Sequence, residues 1–267
     1  MEDTIEILFD KLVYSCYFEK QRAHEQFIGE HFLGFQISGE THAFYAKGSE
    51  EMIDNTVVLA RRNQLIRTAK YPSKEGKYQF VSIILDQETL KQYALENKIV
   101  IDQRYSGNKV FFFEPDVFFR SYFLSLVPYI NKTKKAAPKL ADLKIREAIE
   151  LLLQSNPDFK YLLFDFNEPY KIDLEEFMQQ NYMFNVTVES LARLTGRSLS
   201  SFKRDFTKTF KTSPKQWLRD KRLAEAYYLI KYKKRKPTDI YLDLGFENLS
   251  HFYFSFKQKF GVTTSEI

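Results

Sequence analysis

The sequence predicts an α+β chain: a β-rich N-terminal domain followed by an all-α C-terminal domain with two helix-turn-helix units. Two patterns carry this. Between Phe32 and Leu85, short apolar runs alternate with turn residues, as the strands of a β-sandwich or small barrel do. Further on, the block Ser198 to Phe210, SLSSFKRDFTKTF, returns as Asn248 to Phe260, NLSHFYFSFKQKF, at an offset of about 50 residues that marks a structural repeat. A chain of 267 residues with 44% hydrophobic and 16% aromatic content can build two cores.

The N-terminal runs are Phe32 to Ile37, Ala43 to Tyr45, Thr56 to Leu59 and Phe80 to Leu85, punctuated by Gly39, Gly48, Asp54-Asn55, Pro72 and Gly76. After Asp86 the apolar period lengthens. Gln87 to Asn97 reads as a helix with Leu90, Tyr93 and Ala94 on one face, and Asp116 to Ile130 as another after Pro115 at a helix start. NKTKKAAP, Asn131 to Pro138, reads as a surface loop. Lys139 to Gln154 is amphipathic through Leu140, Leu143, Ile149, Leu152 and Leu153. Its apolar side needs a partner, either its own domain or a second subunit, and dimerisation is favoured. A boundary is expected in DFNEPY, Asp165 to Tyr170, giving domains 1–165 and 166–267.

Leu174 to Tyr182 opens the second domain as a supporting helix. Val188 to Leu194 reads as a short helix ended by Thr195-Gly196-Arg197. Phe202, Phe206 and Phe210 then fall at i, i+4 and i+8, one buried stripe of a helix, which leaves Ser200, Lys203, Arg204, Thr207 and Lys208 outside. Helix, tight turn and basic helix describe a helix-turn-helix. An ordinary helical hairpin explains one such unit equally well, but Phe252, Phe256 and Phe260 repeat the stripe. The long segment Pro214 to Tyr232, with Trp217, Leu218, Leu223, Ala226, Leu229 and Ile230, joins the copies.

The C-terminal hundred residues or so resemble the AraC/XylS family of transcription regulators. The matching residues are Ser198, Phe202, Arg204 and Phe206; Ser213-Pro214; Arg222-Leu223 and Ala226; Asp239-Ile240; Leu244-Gly245-Phe246; and Ser250, Phe252, Phe256-Lys257 and Phe260-Gly261. The resemblance implies double-stranded DNA as partner, with RNA polymerase, and two recognition helices entering major-groove faces about 34 Å apart. It places DNA contacts at Ser200, Ser201, Lys203, Arg204 and Lys208 in the first unit. In the second it places them at Asn248, Ser250, His251, Tyr253 and Lys257. Ile37-Ser38-Gly39-Glu40 and Leu59 to Gln64 resemble the family's cupin-type sensing barrel, and the helix after that barrel commonly pairs subunits. The N-terminal part is also similar to that of type III secretion activators, so the effector is either a small molecule or a protein.

Three positions depart from the family pattern. Lys211 stands where the second copy has Gly261, so a non-glycine residue is expected in a left-handed turn. Thr264 replaces the proline matched by Pro214. Phe254, about 200° around the helix from Phe252, is an aromatic where the family often has a polar or basic residue. With Tyr253 beside it, the second unit is expected to discriminate bases less than Lys203 and Arg204 do. It would act chiefly through Lys257 and Lys259 on phosphate.

From Tyr170 onward 18 Lys/Arg face 11 Asp/Glu, against a net charge of +5 for the whole chain, so the positive excess lies in the C-terminal part, where nucleic acid would sit. No basic n-region with an apolar core and no membrane-length apolar run is seen, and a cytoplasmic protein without a membrane partner is expected. The lone Cys16 excludes an internal disulfide and a cysteine-built metal site. It also argues against the alkyl-accepting DNA-repair proteins with a similar DNA-binding domain. His24, His31 and His42, with Glu25 and Glu30, raise the alternative of a cupin-type metalloenzyme fused to a DNA-binding module. They lack the His-x-His pair that would set two ligands on one strand face, so no metal, cofactor or catalytic residue is expected.

Overall fold

A computed structural model describes residues 4–8, 11–45, 48–129, 138–167 and 171–267. Apart from residues 25–27, the chain divides after residue 167 into two compact units.

The first unit runs β1 (Thr4–Leu8), β2 (Leu12–Tyr17), β3 (Gln21–Ile28), β4 (His31–Ser38), β5 (Glu40–Tyr45), β6 (Gly48–Met52), β7 (Thr56–Ala60), β8 (Gln64–Tyr71) and β9 (Tyr78–Leu85). Helix α1 (Gln87–Glu96), β10 (Val110–Phe113), α2 (Val117–Leu126), α3 (Pro138–Ser155) and α4 (Phe159–Leu163) complete it. The strands form a six-stranded sheet, β1-β2-β9-β4-β7-β10, and a four-stranded sheet, β3-β8-β5-β6.

Period-two alternation gives the larger sheet two different apolar faces. Leu12, Tyr14 and Cys16 of β2, Leu33 of β4, Val57 and Leu59 of β7 and Val81, Ile83 and Leu85 of β9 form one. This face packs on Leu90 and Tyr93 of α1, Phe119 and Phe123 of α2 and Ile145, Ile149 and Leu152 of α3. Phe35 stacks on Phe123 with ring centroids 5.0 Å apart, and Phe111 meets Phe159 of α4 edge-on at 5.0 Å. The other face, through Phe32, Ala60 and Val110, packs on Ile28, Ala43 and Ile66 of the smaller sheet. Both faces are thus covered, and the two sheets are not closed into the expected barrel.

Strand structure also begins well before Phe32, with β1 to β3. Helix α2 takes its cap from Asp116, whose carboxylate accepts the Phe119 N–H, with Pro115 just before the cap. The helix gives way to a 3-10 turn, Val127–Tyr129. Ile130 and residues 131–137 of the expected loop lie outside the described residues.

Helix α3 corrects part of the dimerisation reading. Ile149 and Leu152 are core residues of their own domain, and Leu153 packs partly buried against that core. Leu140 and Leu143 remain outside, 39% and 59% exposed. The expected linker is also shorter at its start. Asp165 is buried, its carboxylate accepting from Arg61 at 2.7 Å and from the Asn167 amide at 2.7 Å. Arg62 in turn donates to the Asp165 and Asn167 carbonyls, so the chain stays on the first unit through Asn167. Residues 168–170 lie outside the described residues.

The second unit is helical: α5 (Leu174–Asn181), α6 (Val188–Leu194), α7 (Leu199–Phe210), α8 (Pro214–Lys231), α9 (Pro237–Ile240) and α10 (Leu249–Phe260). Asp173, Thr187, Ser198, Ser213 and Asn248 each cap a helix start by accepting an N–H three residues on. Such caps contribute about 1 kcal/mol each, and the two before the phenylalanine stripes fix where α7 and α10 begin.

Candidate nucleic-acid interface

The turn between α6 and α7 is held from inside. Thr195, fully buried, donates its hydroxyl to the Leu191 and Ala192 carbonyls, closing the end of α6. Gly196 follows at φ 65°. Arg197 then reaches the Ile172 carbonyl at 3.0 Å, the Thr195 carbonyl at 2.8 Å and the Asp205 carboxylate at 3.2 Å. Lys171, at 3.0 Å, and Arg197 hold the Asp205 carboxyl below its ordinary pKa. One arginine thereby ties α7 to the turn before it.

Phe202 and Phe206 of α7 are fully buried, and Phe206 and Phe210 pack on Trp217 of α8 at 5.9 and 4.7 Å. With that face inward, Ser200, Lys203, Arg204 and Lys208 point outward and Ser201 is half-buried. The Arg204 side chain is 76% exposed and reaches Asp205 at 3.7 Å. An exposed pair of that length contributes little, which leaves the guanidinium fork available to a guanine edge or a phosphate.

The second unit repeats the plan with a different anchor. Phe252 and Phe256 of α10 are fully buried, and Tyr227 of α8 packs on Phe256 and Phe260 at 6.2 and 4.9 Å. Trp217 and Tyr227, about 15 Å apart along α8 at the helical rise, therefore support one stripe each. Arg222 stands between them. It is buried and donates to the carbonyls of Tyr182 at 2.8 Å, Phe184 at 2.9 Å and Gly245 at 2.9 Å. Gly245 has φ 77°, and a Cβ there would lie 2.7 Å from both the Arg222 guanidinium carbon and the Met183 carbonyl. The glycine is thus required by the backbone conformation and by the arginine beside it. The sequence shows Arg222 only as a matching letter, because its three acceptors are distant in the chain.

On the outer face of α10, Ser250, His251, Tyr253, Phe254 and Lys257 are exposed, Phe254 at 66%. Asn248 is exposed too, but its side-chain oxygen accepts the His251 N–H at 3.0 Å, so its cap role comes first. Lys259 departs from the expectation of a phosphate contact. Its ammonium is held by the Asp220 carboxylate at 2.7 Å and the Asp220 carbonyl at 3.1 Å.

The histidines of the first unit occupy separate environments. His31 is buried on β4, its Nδ1 accepting the Arg62 N–H at 3.2 Å. Burial, aided by Arg62 and Arg61, pushes its pKa down to about 3. His42 lies on β5 in the other sheet, near Glu40 at 3.5 Å and Glu51 at 3.7 Å. The side chain of His24 lies outside the described residues. Among the described residues no group of three His, Cys, Asp or Glu side chains is placed to hold a metal ion. Among the same residues no helix is long and apolar enough to cross a membrane.

Two family models match this chain: a helix-turn-helix domain over residues 191–267 and the ExsA N-terminal regulatory domain over residues 31–162. These matches agree with the resemblance to the AraC/XylS family. Similar relatives include the virulence regulon transcriptional activator VirF of Yersinia enterocolitica, 30% identical over 129 residues, which are 48% of this chain and 48% of VirF. The regulator ExsA of Pseudomonas aeruginosa is 29% identical over 130 residues, 48% of this chain and 47% of ExsA. The chain spans about half the length of the curated relatives it matches. Among solved structures, ToxT of Vibrio cholerae aligns with 13% identity and a TM-score of 0.43, covering 96% of this chain and 97% of ToxT.

Within the AraC/XylS pattern, the departure at Lys211 has a conformational cost. Lys211 ends α7 at φ 57° and ψ 20°, left-handed, while Gly261 ends α10 at φ 74°. A side chain in that region costs about 1 kcal/mol relative to glycine.

Proposed function

We propose that this chain is a sequence-specific DNA-binding transcription regulator governed by a signal received in its N-terminal unit. The observation that carries the reading is the doubled helix-turn-helix, with Lys203 and Arg204 exposed on α7 and Ser250, His251 and Lys257 exposed on α10. Phosphate contacts from these cations supply salt-dependent affinity, and base contacts from α7 supply most of the choice. The domains are taken as 1–167 and 168–267, following the division of the chain into two compact units. The reading is one of binding without a reaction of its own, in the cytoplasm where operator DNA and RNA polymerase are reached.

Pairing of two copies through the exposed residues Leu140 and Leu143 of α3 would join two DNA-binding units and raise their effective concentration. The effector is a small molecule or a protein; the match to a regulatory domain supports a sensing role and both classes fit it. Relatives named as activators support positive regulation. Incubating the purified chain with random duplexes and sequencing those retained tests the proposal. Enrichment of a defined motif is expected, and a retained pool as random as the input refutes it.

A further inference from the structure

We propose that the turn joining α8 to α9 is a further DNA-binding element, a clamp on the phosphate backbone formed by Lys233, Lys234, Arg235 and Lys236. The inference rests on the DNA-binding reading above and extends it to residues that neither helix-turn-helix face includes. Of the 18 cations from Tyr170 onward, five fall in the six positions from Lys231 to Lys236. Lys231 donates to the Tyr227 hydroxyl at 2.8 Å. The other four are exposed, and among the described residues none has a carboxylate within ion-pair reach.

The turn holds these charges together rather than letting them spread. The backbone N–H groups of Lys233 and Arg235 both donate to the Leu229 carbonyl, at 3.2 and 3.1 Å, and Lys234 is left-handed at φ 52°. The C-terminal end of α8 attracts cations, but its dipole is equivalent to only about half an elementary charge. Four confined positive groups therefore exceed what the helix end explains and call for an external polyanion.

Position selects which polyanion. The run leads directly into Pro237, the first residue of α9, and α9 is the first helix of the second helix-turn-helix. In a helix-turn-helix the first helix crosses the DNA backbone while the second enters the groove. Residues at the entrance to α9 thus meet phosphates beside the groove that α10 enters. The matching approach to α6, Phe184 to Thr187, holds no cation. The clamp also answers the engagement of Lys259 by Asp220: the second helix-turn-helix gains phosphate contacts from the turn, beside Lys257, in place of the one Lys259 would have made.

The test uses the full chain and a short fluorescein-labelled random-sequence duplex, with affinity recorded as salt rises from about 50 to 200 mM. Two variants are compared with the native chain: Lys233→Gln/Lys234→Gln/Arg235→Gln/Lys236→Gln, and the charge-keeping Lys233→Arg/Lys234→Arg/Lys236→Arg. The glutamine variant is expected to flatten the slope of log K against log salt by about 2–4, since each phosphate contact contributes about 0.9. The arginine variant is expected to keep the native slope, and both should keep the native thermal midpoint. A glutamine variant with native slope and affinity overturns the clamp and leaves an acidic protein or anionic lipid as the partner. Should the native chain itself ignore the duplex, the DNA-binding reading falls first, which is a separate and distinguishable failure.

Discussion

Replacing Arg222 with methionine keeps the length and apolar stem of the side chain while removing a guanidinium that serves three carbonyls. Tyr182 and Phe184 lie between α5 and α6, and Gly245 lies between α9 and α10, so one side chain secures the approach to both units. Each orphaned buried acceptor costs about 1–3 kcal/mol. Partial hydration lowers their sum, and the expected loss is roughly 3–4 kcal/mol. For a unit of about a hundred residues that lowers the melting temperature by roughly 10–25 °C. Arg222→Lys should fall between, since an ammonium retains the charge but not the planar fork. The assay is thermal unfolding of the full chain followed by fluorescence, because the single tryptophan is Trp217, on the same helix as Arg222. An Arg222→Met protein melting within a degree or two of the native one would refute the claim that this arginine joins the two helix-turn-helix motifs.

Three further outcomes are expected. Lys211→Gly should raise the stability of the second unit by about 1 kcal/mol, because it relieves the left-handed turn at φ 57°; an unchanged melting temperature would contradict this. His31, at about 3 when folded against 6.5 when unfolded, binds its proton more readily in the unfolded chain. Its contribution is therefore complete above pH 6.5 and lost as pH falls, by about 1.4 kcal/mol per unit. Urea unfolding at pH 5 should show a loss of roughly 2 kcal/mol from this group that His31→Leu removes. Arg204→Ala should weaken binding to a selected duplex by about 1–3 kcal/mol, while a folded variant with native affinity would take Arg204 off the base-contact list.

How far the sequence could be read depended on how local each cause was. The phenylalanine stripes of α7 and α10 are legible because helical period and burial coincide within one element, and the caps at Ser198 and Asn248 are set by neighbours three residues away. The alternation of β4, β7 and β9 is legible for the same reason. Closure of the sheet was not, since it depends on which faces α1 to α3 cover. Helix α3 illustrates the limit: amphipathicity shows that Leu140, Leu143, Ile149 and Leu152 seek apolar contact, but not that Ile149 and Leu152 find it within the same domain. Arg222 and Lys259 owe their roles to partners dozens of residues away. The basic run before α9 carries no reading from the sequence alone, since only its place at the entrance to a helix-turn-helix gives it a direction.

The central proposal is that two recognition helices read one duplex with unequal discrimination. It is tested most directly by a base-by-base substitution scan of a duplex selected by the purified chain, at fixed salt. Two clusters of sensitive positions are expected, about one helical turn or 34 Å apart. The cluster under α7 should lose about 1–3 kcal/mol per mismatch, and the cluster under α10, with Tyr253 and Phe254 in place of Lys203 and Arg204, should lose much less. A single cluster would contradict the doubled reading, and equal losses in two clusters would make Phe254 a specificity residue equal to Arg204.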